Sequence, residues 1–126
     1  MAQPTPGVTV AKPVIERYGP GMFRVAGQVF DGSILVLSTG AMPWPVRAVA
    51  DLRPEDFGPV TGQEVRPDIL VLGWGSRSAM VPPALRRALR DLGIVIDPME
   101  TGAACRTYNI LVAEGRRVAA GLIVLE

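Results

Sequence analysis

The stretch Ile69 to Ile96, ILVLGWGSRSAMVPPALRRALRDLGIVI, decides the fold. It opens on four apolar residues, Ile69 to Leu72, a run of strand length closed by Gly73. Pro82 and Pro83 then open a helix, at positions where a missing N–H is harmless. Within it Leu85, Ala88, Leu89 and Leu92 recur at i, i+3, i+4 and i+7, forming one apolar stripe. Arg86, Arg87 and Arg90 lie off that stripe, and Gly93 stops the helix before the strand Ile94 to Ile96. A strand, a helix and a strand at this spacing predict a right-handed parallel crossover.

Toward the C-terminus the rhythm repeats. Thr101 is placed to cap a second helix that runs to about Glu114 and ends at Gly115, and Arg117 to Leu125 reads as a closing strand. Toward the N-terminus the pattern is antiparallel. Val14 to Tyr18 and Met22 to Ala26 flank Gly19-Pro20-Gly21, and Gly27 suggests a bulge or a sharp bend. Asp31-Gly32 reads as a tight hairpin turn between Gln28 to Phe30 and the continuously apolar Ile34 to Leu37. Pro43-Trp44-Pro45 is an extended link, Val46 to Ala50 a further strand, Leu52 to Phe57 one helical turn, and Gly58 to Pro67 a loop. The fold class is therefore α/β with a central mixed sheet, an antiparallel N-terminal meander and two helices from the C-terminal half. Residues 1–13 read as a flexible arm and 14–126 as a single α/β domain.

Composition supports a packed core. Val, Leu, Ile and Phe make up 37 of 126 residues, well above the roughly 20% below which disorder sets in. The 13 basic and 12 acidic residues leave a net charge of +1, without the concentrated positive field that nucleic-acid binding requires. The absence of His excludes His-dependent chemistry. The lone Cys105 excludes an internal disulfide and suits a reducing cytosol. Purely apolar runs such as Ile34 to Leu37 fall far short of the roughly 20 residues that span a bilayer. The N-terminal MAQPTPGVTVAKP lacks the charged start and apolar core of a secretory signal. The expected setting is cytoplasmic, with no transmembrane segment.

Two stretches could bind a ligand. Gly73-Trp74-Gly75-Ser76-Arg77-Ser78 lies between a strand and a helix, where glycines let backbone approach an anion. The dinucleotide fingerprint wants a third Gly where Ser78 stands, and the two glycines serve equally for a tight turn. Asp97 to Asn109, DPMETGAACRTYN, also follows a strand, so its helix start belongs near the Gly73 loop at the carboxyl ends of adjacent parallel strands. Thr101, Gly102 and the first helical N–H groups offer an anion site with Arg106 in reach, and Thr107, Tyr108 and Asn109 add a polar run. That run serves equally to tie helix to sheet. Cys105 beside Arg106 has no base but Asp97 or Glu100 near it in sequence, and reads as a small core hydrophobe. No spacing suits a metal, and no cofactor is implied. The Arg86, Arg87 and Arg90 face reads either as a partner surface or as a solvated face beside Asp91.

Several of these segments together resemble one family. They are Tyr18-Gly-Pro-Gly-Met-Phe-Arg-Val25, Gly32-Ser-Ile-Leu-Val36, Trp44-Pro45, the Gly-x-Gly after Leu72, and TGAACRTYNILVAEGRRVAAGLI from Thr101. The family includes the mitochondrial assembly factor of NADH:ubiquinone oxidoreductase and the adipogenesis-associated domain protein of animals, along with small bacterial and archaeal domains. The similarity runs from about Val14 to Leu125, departing at Trp74, where the family implies a small residue. It implies a three-layer α/β domain with a cleft near the Gly-x-Gly loop, no settled reaction, and a part in complex I assembly. The reading that follows is a non-catalytic interaction domain whose partners are complex I subunits or other assembly factors. The alternative is a small-molecule or anion binder, or an enzyme, using Gly73, Trp74, Gly75, Ser76 and Arg77 with Thr101, Gly102, Arg106, Thr107 and Asn109.

Overall fold

The computed structural model describes residues 12–126, so the expected arm over 1–13 lies outside the described residues except for Lys12 and Pro13. Three short strands, β1 (Ile15–Gly19), β2 (Met22–Val25) and β3 (Gln28–Phe30), pair antiparallel in chain order. The tight turn joins β2 to β3, not β3 to the next strand. Val25 faces Gln28 across a two-residue loop, Ala26-Gly27, with φ of +50° and +79°. Positive φ at both central positions matches the twist of a tight hairpin. The hairpin expected at Asp31-Gly32 does not form, because neither residue takes positive φ and the chain there changes sheets.

β4 (Ile34–Leu37) and β5 (Gly40–Pro43) form an antiparallel pair at one side of a five-stranded sheet. After β5 the strand expected over Val46 to Ala50 is absent. Val46, Val49 and Leu52 are all buried at a spacing of three, so the segment curls into a 3-10 turn (Val49–Asp51). A second 3-10 turn (Pro54–Phe57) runs into a short helix, α1 (Gly58–Thr61), where a loop was expected. Phe57 and Val60 continue the buried three-residue spacing.

The deciding stretch forms the strand, helix and strand expected, β6 (Ile69–Gly73), α2 (Pro83–Arg90) and β7 (Val95–Met99), with β6 and β7 parallel and β7 running three residues beyond the expected end at Ile96. The apolar stripe ends one residue position short, since Leu92 lies beyond α2 and is exposed. α3 (Thr101–Ala113) follows, and Gly115 at φ +76° lies just beyond its end. β8 (Val118–Leu122) inserts between β4 and β6, antiparallel to the first and parallel to the second. The sheet order is β5-β4-β8-β6-β7, a mixed sheet.

Alternation along the buried strands divides the apolar side chains between two faces. Leu35, Leu37, Leu70, Leu72 and Ala119 join Leu85 and Leu89 of α2, along with Trp44, Phe57 and Val60. Ile34, Val36, Val71, Ala120 and Leu122 join Ala104, Cys105 and Tyr108 of α3, and Phe23, Val25 and Phe30 of the small sheet. The central sheet is thus covered on both faces, as in a three-layer α/β domain. Trp44 is the largest buried residue on the first face. Its Nε1 donates to the Asp56 carbonyl at 2.8 Å, and its ring meets Phe57 edge-on at 5.3 Å. It also lies against Gly121, where a Cβ would stand 2.9 Å from the indole, so β8 needs glycine there.

Candidate functional site

Gly73 ends β6 with no room to spare. A Cβ on it would lie 2.7 Å from Thr101 Oγ1 and 2.9 Å from Thr101 Cα. The glycine therefore admits the start of α3, and the expected adjacency of the two stretches is real. Thr101 does not cap the helix. Its hydroxyl accepts from the Gly75 N–H at 2.8 Å and donates to the Ile123 carbonyl at 2.7 Å, fully buried. The Gly73 carbonyl accepts from the Ile123 N–H at 3.0 Å, and the Trp74 N–H donates to Met99 at 2.9 Å. The loop after β6, the start of α3 and the end of β8 are knotted through one hydroxyl. Gly75, at φ +87°, supplies the left-handed conformation that aims its N–H at Thr101.

The cap of α3 is Glu100. Its carboxylate accepts from the Gly102 N–H at 2.6 Å and from the Ala103 N–H at 3.1 Å. The helical N–H groups expected to hold an anion already hold this one. Gly102 is buried between that carboxylate and the Tyr18 ring, whose Cε2 would lie 3.2 Å from an added Cβ. Arg106 turns to the same residue, its Nη1 donating to Tyr18 Oη at 2.6 Å. The Asn109 side chain pairs with the backbone of Ile15, accepting from its N–H and donating to its carbonyl, both at 2.9 Å. Tyr108 Oη donates to the Pro13 carbonyl at 3.0 Å, and Thr107 is half-buried beside it in sequence. The polar run of α3 fastens the N-terminal strand.

The remaining loop residues face elsewhere. Trp74, Gly75, Ser76 and Arg77 line a hollow of about 210 Å³ together with Arg47 and Glu126. None of Thr101, Gly102, Arg106, Thr107 and Asn109 lines it. Trp74 is half-buried against the α2-side core and is not a free anchor, whereas Arg77 is exposed. Arg47 went unnoticed in the sequence because it sits in a segment read as a strand. It lies in the irregular link ahead of the 3-10 turn, which brings it to this loop.

Cys105 is 1% exposed, among the apolar residues beneath α3. Burial first, and then the Glu100 carboxylate, push its thiol up from 9.0 to about 12, against a smaller opposing pull from Arg106. A thiol reagent at neutral pH is therefore expected to label the folded protein slowly and the denatured protein fast. Fast native labelling would overturn the packing role. Among the described residues no group of three or more Cys, Asp and Glu is placed to hold a metal. No helix among them is long and apolar enough to cross a membrane.

Fold and site together define a mixed α/β domain whose Gly-x-Gly loop is locked by a buried threonine. The chain belongs to the family described as a protein of unknown function (DUF498/DUF598), which matches residues 15–123. It is 39% identical over 123 residues to an uncharacterised protein of Rhodobacter capsulatus, covering 98% of this chain and 93% of that protein. It is 34% identical over 109 residues to the bovine NADH dehydrogenase (ubiquinone) 1 alpha subcomplex assembly factor 3, covering 86% of this chain. The chain spans only 59% of that assembly factor's length. Among solved structures it resembles an outer membrane protein of Bartonella henselae, with a TM-score of 0.83, 34% identity, and coverage of 92% and 98%. It also resembles a Mth938-like domain of Bordetella pertussis, with a TM-score of 0.76, 30% identity, and coverage of 91% and 87%. The resemblance carried by the Tyr18 to Val25 and Thr101 to Ile123 segments is thus a family relationship, and the α/β class holds.

Proposed function

We propose that this chain acts by binding other proteins during assembly of respiratory complex I. The carrying observation is its 34% identity to the bovine assembly factor across 86% of this chain. An exposed basic region supports a contact role. Arg77 is exposed, Met80 is 84% exposed, and Arg86, Arg87 and Arg90 surround the adjoining depression on α2. Among the described residues none of these arginines lies within ion-pair distance of a carboxylate. Arginine is among the residue types that dominate interface energetics, and it supplies planar donors to a partner's carboxylates.

Deleting the gene in a host that depends on complex I is expected to lower NADH:ubiquinone oxidoreductase activity and leave partly assembled subcomplexes. Succinate-driven respiration should stay normal. Complementation with Arg77→Ala/Arg87→Ala should fail while the variant protein accumulates to wild-type levels, since both side chains are exposed. Wild-type complex I levels in the deletion strain would refute the assembly role for this protein.

The second reading, a small-anion site at the loop after β6, is favoured by Arg47 and Arg77 lining one hollow, which they share with Glu126. Arg106, committed to Tyr18, plays no part in that version. A thermal shift with an anion that vanishes in Arg47→Ala but persists in Arg106→Ala would support it.

A further inference from the structure

A cavity of about 250 Å³ opens at the opposite end of the five-stranded sheet from the Gly73 loop, where β6 and β8 begin. Its floor is apolar: Val118 of β8, and Tyr108 and Val112 of α3. Its charged lining is entirely basic, consisting of Lys12, Arg66 and Arg117. Among the described residues only Arg117 of these three has a carboxylate partner, its Nη2 lying 3.0 Å from Asp68 Oδ1. Arg66 spends its Nε on the Thr61 carbonyl at 3.1 Å, which fixes the stem and leaves the outer guanidinium nitrogens without a protein acceptor among the described residues. Like charges around a low-dielectric hollow repel one another and focus a positive potential into it.

From this juxtaposition we infer a binding site for a small monocarboxylate with an apolar body, a short-chain acyl or aryl acid. The headgroup sits between Arg66 and Lys12, with the planar guanidinium fork suited to a carboxylate. The body lies on Val65, Val112 and Val118, with the buried Tyr108 ring behind them. A half-open hollow of about 250 Å³ is of the order that seats a small acid such as hexanoate or benzoate. An apolar lining with a few convergent polar groups is the usual make-up of a small-molecule pocket. This site shares no lining residue with the hollow beside Trp74 or with the arginine depression on α2. It is therefore a separate site from the contact region proposed above.

The test is an amide-shift NMR titration of the whole chain with hexanoate and with benzoate, set against acetate, hexanol and inorganic phosphate. Either of the two acids is expected to bind with a Kd of about 1 mM or tighter, which a ligand of this size can reach. Shifts should centre on Val112, Val118 and Arg66. Acetate lacks the body and hexanol the charge, so each should bind at least about tenfold more weakly. Arg66→Gln should weaken the acid about tenfold to a hundredfold, the range of a charged hydrogen bond. Lys12→Gln, which disturbs no hydrogen bond among the described residues, should weaken it in the same direction. Tighter binding of phosphate than of either acid would overturn the assignment. So would shifts centred elsewhere, no saturation by either acid, or an undiminished affinity in both variants.

Discussion

Thr101→Val is expected to destabilise the protein by about 2–6 kcal/mol, with Thr101→Ser costing about 1 kcal/mol. Valine nearly matches the volume of threonine but cannot replace its hydroxyl. Two backbone groups then lose their partner, the Gly75 N–H and the Ile123 carbonyl. A buried polar group left unpaired costs about 1–3 kcal/mol, and no water replaces the hydroxyl in a position with 0% exposure. Serine keeps both bonds and gives up one methyl, worth about 0.8 kcal/mol. Since whole domains are stable by only about 5–15 kcal/mol, the valine variant should melt about 10 °C or more below the wild type. Gly73→Ala attacks the same knot from the other side. Its Cβ would overlap backbone as well as side chain, at about 1–3 kcal/mol for overpacking. Equal melting temperatures for the valine and serine variants would show that the hydroxyl does not hold the loop.

The parts of this molecule legible in the sequence are those in which local pattern and tertiary role agree. The run Ile69 to Leu72 had one reading because strand length, flanking glycine and apolarity all pointed the same way, and β6 lies at the centre of the parallel set. Asp31-Gly32 carries the right dipeptide for a hairpin, yet Ile34 does not pair back with β3: its partners are Pro43 on the following strand and Leu122, far along the chain. Non-local pairing overrode the turn preference. Val46 to Ala50 satisfies a period of two and a period of three at once, and Trp44 with Leu52 settles it in favour of three.

The site was legible only as an adjacency. Sequence placed Gly73 next to Thr101 correctly, but it could not show that the gap between them is closed. A Gly next to a helix start looks the same whether it admits a phosphate or a threonine side chain. The Glu100 cap was readable in principle, since a carboxylate just ahead of a helix accepts from its free N–H groups. Thr101, one residue on and an equally good capping type, drew the assignment instead. Asn109 is a further case: nothing in a single sequence links it to the backbone of Ile15, 94 positions away.

Stability is expected to fall steeply between pH 9 and pH 12, for a reason confined to two neighbours on α3. Burial lifts the Tyr108 hydroxyl from 10.0 to about 12, and burial followed by the Glu100 charge lifts the Cys105 thiol from 9.0 to about 12. In the unfolded chain both groups ionise near their ordinary values. Above pH 9 the unfolded state therefore binds fewer protons than the folded state, and unfolding becomes progressively easier. The stabilisation is intact below pH 9 and is lost as pH rises through about 12. At about 1.4 kcal/mol per pH unit and per group, the thiol accounts for about 4 kcal/mol and the phenol for about 3. Together these rival the stability of a whole domain, so a cooperative alkaline transition should appear before pH 12. Urea midpoints measured from pH 7 to pH 11 follow this directly, provided the slope with denaturant stays constant. The two groups separate by mutation. Cys105→Ala removes the thiol, so its stability should stay level between pH 9 and pH 10, where wild type already declines. Tyr108→Phe removes the later part of the fall and gives up the hydrogen bond to Pro13, which lowers its stability at every pH. A wild-type midpoint that does not change up to pH 11, or a Cys105→Ala decline parallel to wild type from pH 9 to pH 10, would mean that α3 lets solvent reach these groups in the folded state.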